Sequence, residues 1–127
     1  MDTSVQVVER FLDDVLNGGR PGSASDLIDS QPLRQRVDVL RAAFADLSVR
    51  AVRTIAQDDL VAVHLVASGT HTGPFQGAAA TGRSWTSSCT AIYQVEGGRI
   101  VDFWVNWDTL DMAEQLGIVR RAARVSA

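Results

Sequence analysis

The chain has 127 residues, a formal net charge of -3, 46% apolar residues and 21% charged residues, a composition typical of one soluble globular domain spanning residues 1–127. The Lys and Arg residues are scattered and form no basic stripe of the kind that nucleic-acid binding requires, and Arg120, Arg121 and Arg124 are expected to be a solvated end. The sequence shows no metal-ligand spacing, no signal peptide and no apolar run long enough to span a membrane. Cys89 is the single cysteine, which excludes an intrachain disulfide. We therefore expect a cytoplasmic protein that binds neither metal, membrane nor nucleic acid.

The first part of the chain predicts helices. Thr3 and Gln6 form a candidate capping box, and apolar residues follow at helical spacing: Val5, Val8, Phe11, Leu12, Val15 and Leu16. Gly18-Gly19 and Pro21 are expected to end this helix, and a short helical turn is predicted at 25–29. Pro32 is predicted to be the first residue of a further helix, with one apolar face made of Leu33, Val37, Leu40 and Phe44.

From about residue 48 the pattern predicts strands, at 49–56, 60–68, 85–95 and 99–108. Asp58-Asp59 and Gly97-Gly98 are the expected turns, residues 69–82 are expected to form a loop, and a last helix is predicted from 109 to 116, ending at Gly117. Helices followed by antiparallel strands favour an α+β fold, in which helices pack over one face of a curved sheet.

Strand alternation predicts which side chains share a face. On the last strand, Asp102, Trp104, Asn106 and Asp108 form one set, and Phe103, Val105 and Trp107 form the other. On its hairpin partner, Trp85, Ser87, Cys89, Ala91 and Tyr93 alternate with Thr86, Ser88, Thr90, Ile92 and Gln94. Neither face of the hairpin is purely apolar, which indicates that one face lines a cavity, and such a mixture suits a small-molecule site.

Five stretches, taken in their order and spacing, resemble the SnoaL-like polyketide cyclases of the NTF2-like superfamily. They are LRAAFADL (40–47), GTHTGPFQG (69–77), TGR (81–83), VEGGRIVDFW (95–104) and DTLDMAEQLG (108–117). The resemblance covers roughly residues 35 to 117. It implies a cone-shaped α+β fold with a deep apolar pocket, usually dimeric, and an intramolecular aldol ring closure that uses no cofactor.

The resemblance also implies site residues. The family's catalytic aspartate falls on Asp108, and its loop histidine falls on His71, which would donate a hydrogen bond to the substrate carbonyl. The expected substrate-binding residues are Asn106, Trp104, Trp85, Cys89, Tyr93 and Phe75. The chain departs from the family in two places: Cys89 and Ala91 stand where the type cyclase has Gln and His, and roughly ten residues are missing between Gln31 and Pro32.

Asp108 has two interpretations on sequence chemistry alone. It precedes a predicted helix, where a carboxylate caps backbone N–H groups, and it also adjoins aromatic residues that could wall a catalytic site. His71 follows a predicted strand, and a histidine in such a loop is more often a turn residue bonded to the backbone than a catalytic residue. Cys89 has no predicted His beside it, so we interpret it as a small buried hydrophobe and not as a nucleophile.

The resulting prediction is a cofactor-free cyclase or isomerase of specialised metabolism, acting on a hydrophobic small molecule. Asp108 is the expected base, and His71 or Asn106 is expected to polarise a carbonyl. Two alternatives stay open: a non-catalytic ligand-binding or partner-binding module, and an epoxide hydrolase-like enzyme that uses the same aspartate. A homodimer is expected through the strand face that consists of Thr86, Ser88, Thr90, Ile92 and Gln94.

Overall fold

The structure is a computed structural model that describes residues 2–119, so the three tail arginines lie outside the described residues. Its helical elements are α1 (Ser4–Arg10), a π-helical segment (Phe11–Leu16), a 3-10 turn (Pro21–Ser23), α2 (Ala24–Leu27), α3 (Gln31–Ala43) and α4 (Thr109–Gln115). Its strands are β1 (Ser48–Gln57), β2 (Leu60–Thr70), β3 (Ser84–Glu96) and β4 (Arg99–Trp107). No helix within residues 2–119 is long and apolar enough to cross a membrane.

The predicted capping box at the start of α1 is confirmed. The Thr3 hydroxyl accepts from the Gln6 N–H at 3.2 Å, and the Gln6 side chain accepts from the Thr3 N–H at 2.8 Å. The helix widens into the π-helical segment, where the Asn17 N–H donates to the Leu12 carbonyl at 2.9 Å. The apolar side chains of both segments are buried in the core.

Helix α3 begins one residue earlier than predicted, at Gln31. The Ser30 hydroxyl accepts from the Leu33 N–H at 3.4 Å, and Pro32 takes the second helical position, where its missing N–H leaves no hydrogen bond unmade. The predicted apolar face is confirmed, with Leu33 and Val37 buried and Leu40 partly buried. The opposite face of α3 stays exposed and borders the groove described below.

All four strands form one antiparallel sheet in the order β1-β2-β3-β4, which confirms the predicted α+β arrangement. Strand β2 runs two residues further than predicted, to Thr70, because Gly69 and Thr70 pair with Trp85 and Ser84 on β3. A composition that predicts a loop is overridden here by sheet pairing.

The sheet register decides which face of β4 meets the core. Cys89 pairs with Trp107 and Ala91 pairs with Val105, so these four residues share the face that the N-terminal helices cover. Trp104 pairs with Ile92 on the opposite face, where it is 49% exposed, and Asn106 is exposed beside it. The expected placement of Trp104 and Asn106 in a cavity with Trp85 is therefore wrong.

A single extra residue in β4 causes this difference. Glu96 pairs with Arg99 and Val95 pairs with Ile100, but Gln94 pairs with Asp102, so Val101 has no partner of its own. Such a β-bulge shifts the register by one residue and turns every following side chain to the other face. Simple counting from the Gly97-Gly98 turn would instead have paired Cys89 with Asn106.

Candidate active site

An inner cavity of about 60 Å³ lies between the helices and the covered face of the sheet. Leu16, Leu40, Leu65 and Val105 contribute to its apolar wall, and its polar groups come from Arg36 on α3 and from four residues of the hairpin. Those four residues are Trp85, Cys89, Tyr93 and Trp107. The volume suits a few water molecules or one small functional group, and not a whole drug-sized ligand.

A groove of about 390 Å³ adjoins this cavity. Its walls come from three parts of the chain: α3 contributes Pro32, Gln35 and Val39, the loop after β2 contributes Phe75 and Gln76, and Thr109 begins α4. Arg36, Leu40 and Trp107 line both spaces, so these three residues form the junction between them. Groove and cavity together have the size of a site for a small organic molecule.

The ionisable groups of the inner cavity are held in their protonated forms. Burial raises the pKa of the Tyr93 hydroxyl and that of the Cys89 thiol, because a low-dielectric environment disfavours their anions. The positive charge of Arg36 acts on both groups in the opposite direction and is the weaker influence. Tyr93 and Cys89 therefore act as neutral donors near neutral pH, and neither is an activated nucleophile.

Two indole N–H groups of the cavity wall have no acceptor within residues 2–119. The Nε1 atoms of Trp85 and Trp107 are buried without a hydrogen-bond partner, and the two rings lie 5.3 Å apart between centroids. An indole N–H can only donate, and a buried donor without an acceptor is unfavourable. The Trp85 Nε1 lies against Gly69, whereas Trp107 stands at the junction of cavity and groove, where a ligand oxygen would supply the missing acceptor.

Asp108 caps α4. Its Oδ1 accepts from the Asp111 N–H at 2.9 Å, and the side chain is exposed. Strand β4 accordingly ends at Trp107, one residue earlier than predicted. Asp108 lines neither the cavity nor the groove, although Trp107 and Thr109 on either side of it line the groove.

His71 is fully buried and supports the loop that follows β2. Its Nδ1 accepts from the Thr81 N–H at 3.2 Å and lies 3.0 Å from the Thr81 hydroxyl, while its main chain bonds to Arg83 and Gly82. Because Nδ1 accepts, the neutral ring carries its proton on Nε2, which has no partner within residues 2–119. His71 packs on Phe44 and lines neither space, so the structure does not bring it together with Asp108.

The remaining expected substrate-binding residues reach the site in part. Trp85, Cys89 and Tyr93 line the inner cavity, and Phe75 lines the groove. Sequence reasoning missed Arg36 and Trp107. Arg36 looked like any other charged residue beside the apolar face of α3, and the bulge at Val101 hid the orientation of Trp107.

Among residues 2–119, no group of three or more His, Cys, Asp or Glu side chains is arranged to hold a metal ion.

Comparisons with known proteins identify the family. The chain superposes on TsrD from Streptomyces laurentii with a TM-score of 0.80 and 24% identity, over 94% of this chain and 99% of that one. The superposition on IdmH from Streptomyces antibioticus has a TM-score of 0.76 and 23% identity, and it covers 91% of this chain and 99% of that one. The superposition on a SnoaL-like polyketide cyclase from Agrobacterium tumefaciens has a TM-score of 0.74 and 20% identity, and it covers 92% of this chain and 100% of that one.

These likenesses establish the NTF2-like cone fold. No curated protein sequence matches the chain. The profile of the family described as SnoaL-like polyketide cyclase matches residues 6–116, which is most of the chain. The chain therefore belongs to the SnoaL-like polyketide cyclase family.

Proposed function

We propose that this protein closes a ring in a small, mostly apolar molecule of polyketide type, in specialised metabolism and without a cofactor. One observation carries the proposal: the apolar inner cavity and the groove meet at Arg36, Leu40 and Trp107. This junction places a cation and an indole N–H donor in the wall of a space that is otherwise largely apolar. Such a site can hold a flexible chain folded and can stabilise an oxyanion on it.

Ring closure of the aldol type requires three events. A base removes a proton from the carbon next to a carbonyl, the resulting enolate carbon attacks a second carbonyl carbon, and the new alkoxide takes up a proton. Holding both carbonyls close together lowers the entropic part of the barrier. The Tyr93 hydroxyl, which burial keeps protonated in the inner cavity, would donate a hydrogen bond to the enolate oxygen and then to the alkoxide.

Asp108 remains our proposed base. Only its Oδ1 is engaged in the helix cap, and Oδ2 makes no hydrogen bond within residues 2–119. Neither the cavity nor the groove has an Asp, Glu or His side chain in its described lining, so Asp108, between two groove residues, is the carboxylate that the chain offers there. His71 has no part in this scheme as a donor to substrate, because its ring is sealed behind Phe44.

The test is turnover of linear acids with several carbonyl groups and of their methyl esters, together with an epoxide panel. Leu40→Trp would fill the junction, while Leu110→Trp adds the same ring on the exposed side of α4 as a matched control. We expect the parent and Leu110→Trp to convert at least one substrate and Leu40→Trp to lose tenfold or more of that activity. Equal activity in both variants would contradict a reaction in this space, and conversion of epoxides alone would replace ring closure by water addition.

A non-catalytic ligand-binding module is the second candidate, and the cap at Asp108 favours it. The Asp108 side chain is exposed, its Oδ1 accepts from the Asp111 N–H, and it lines neither the cavity nor the groove, which suits a structural role. This candidate predicts that the parent binds members of the panel, that Leu40→Trp weakens binding, and that no compound is converted. Conversion that disappears in Asp108→Asn would exclude it.

We also propose that the protein forms a homodimer through the outer face of the sheet. An apolar row crosses all four strands there, because Ile55 pairs with Ala62, Ala62 with Ile92, and Ile92 with Trp104. Ile55 is 71% exposed and Ile92 37%. In such a dimer the outer faces of two sheets pack together, related by a two-fold axis parallel to the strands. Strand β1 of one copy then lies opposite β4 of the other, and the apolar side chains of both rows are buried.

A further inference from the structure

The donor and acceptor balance of the site restricts the ligand further. Arg36 has five N–H donors and no acceptor, and the indoles of Trp85 and Trp107 can only donate. Tyr93 and Cys89 retain their protons in the cavity because burial raises the pKa of each. The lining of the inner cavity thus contains side chains that can donate, and none of the carboxylates within residues 2–119 belongs to it.

Arg36 is also the one ionised side chain among the described residues that line the cavity and the groove. Within residues 2–119 it makes no ion pair and no hydrogen bond, since the ion pair found there joins Arg10 to Asp2. Arg36 is exposed and lines both the cavity and the groove, so it stands on the solvent side of their junction. The described lining of the two spaces thus carries one positive charge and no negative charge, on a chain whose formal net charge is -3.

We propose that the ligand of this site carries a carboxylate, which the Arg36 guanidinium binds while the Trp107 indole N–H donates to the same group. This inference rests on the proposed function, in which cavity and groove are the substrate site, and it adds the charge and the anchoring group of the substrate. The planar guanidinium matches a carboxylate in a two-point geometry. The apolar remainder of the ligand then extends along the groove beside Leu40, Val39 and Phe75.

The same arrangement assigns a direction to binding. The carboxylate lies at the junction of the two spaces, where the exposed Arg36 adjoins the apolar side chain of Leu40. An ester or an amide of the same molecule can still accept a hydrogen bond from the Trp107 indole N–H, but it is neutral and cannot form an ion pair with Arg36. The site should therefore distinguish a free acid from its methyl ester.

The experiment measures binding of 2-naphthoate and of methyl 2-naphthoate by calorimetry at about pH 7.5. The proteins are the parent, Arg36→Gln, Arg36→Lys and Arg99→Gln, where Arg99 is an exposed arginine at the far end of the hairpin. We expect the parent to bind the acid about tenfold more tightly than the ester, since bonds to charged groups contribute this order of affinity. Arg36→Gln should abolish the preference and leave the ester within about twofold, Arg36→Lys should retain part of it, and Arg99→Gln should match the parent.

Alkylation of Cys89 by iodoacetamide reports where each compound binds, because Cys89 lines the inner cavity. If acid and ester bind equally and both slow the alkylation, the carboxylate inference is overturned and the proposed site stands. If Arg36→Gln weakens the binding of both compounds equally, the carboxylate inference is likewise overturned, because Arg36 would then contribute only packing contacts. If neither compound binds or protects Cys89, the inference and the proposed site both fail.

Discussion

Cys89 and Trp107 are directly paired across β3 and β4, and this pairing turns both side chains toward the inner cavity. The indole of Trp107 contacts that of Trp85, and its N–H has no acceptor within residues 2–119. The register of β3 and β4 therefore decides which side chains line the site. Had the hairpin lacked its bulge, Asn106 would have faced the cavity in place of Trp107.

Asp108 gives the first prediction, on stability. Asp108→Ala should lower the free energy of unfolding by about 1 kcal/mol, because the Asp111 N–H loses its acceptor. Asp108→Asn should leave stability close to the parent, because Asn is also a good N-cap residue. Denaturant titration measures both, and equal losses in the two variants would contradict the cap.

The same pair separates the cap from the base. Asp108→Asn keeps the cap but cannot accept a proton, so its turnover should fall at least a hundredfold if Asp108 is the base. Turnover that survives in Asp108→Asn would remove Asp108 from the reaction scheme and leave it as a structural residue.

His71 gives the second prediction. His71→Ala should lower the free energy of unfolding by about 2–4 kcal/mol, because it leaves a void in the packing around Phe44 and removes the acceptor of the Thr81 N–H. Turnover per folded molecule should stay within a few-fold of the parent. Thermal unfolding and kinetics on the folded fraction measure the two effects, and a stable but inactive His71→Ala protein would restore His71 as a catalytic residue.

Trp104 gives the third prediction. Trp104→Glu places a charge in the exposed apolar row of the outer face, so it should convert a dimer into a monomer while the fold is kept. Light scattering after size exclusion measures the mass. Ser25→Glu, at an exposed position of α2 on the helical side of the sheet, is the control for added charge. A parent that is already monomeric at micromolar concentration would contradict the proposed dimer.

Tyr93 gives the fourth prediction, on pH. Burial raises the pKa of its hydroxyl in the folded state, so the unfolded chain releases this proton first as the pH rises. The contribution to stability is complete below the ordinary tyrosine pKa of about 10 and is lost progressively above it. Between pH 9 and pH 11 the parent should therefore lose about 1 kcal/mol more than Tyr93→Phe does. Circular dichroism during urea unfolding at each pH measures this difference, and parallel pH profiles would contradict it.

Most of the fold follows from the sequence. The capping box at Thr3, the apolar face of α3 and the glycine turn between β3 and β4 depend on contacts between residues near in the chain, where spacing and turn chemistry decide the local structure. The family resemblance added the α+β cone, which the comparisons confirm.

The site depended on information that local patterns do not carry. Alternation separates the side chains of β4 into two sets, but the choice of the set that meets the core depends on one unpaired residue, Val101. Arg36 acquires its position only when α3 packs across the sheet beside Trp107 and Tyr93. His71 is buried by Phe44, which lies 27 positions earlier in the chain.

The sequence by itself therefore determined the elements, their order and the class of fold, because these follow from periodicity, capping and turns along the chain. Only the tertiary structure decided that Trp107 and not Trp104 lines the cavity, that Asp108 caps a helix, and that Arg36 stands without a counter-ion in the described chain. The reason is physical: a side chain's surroundings are set by register and packing between distant segments, and a shift of one residue in a strand exchanges its two faces.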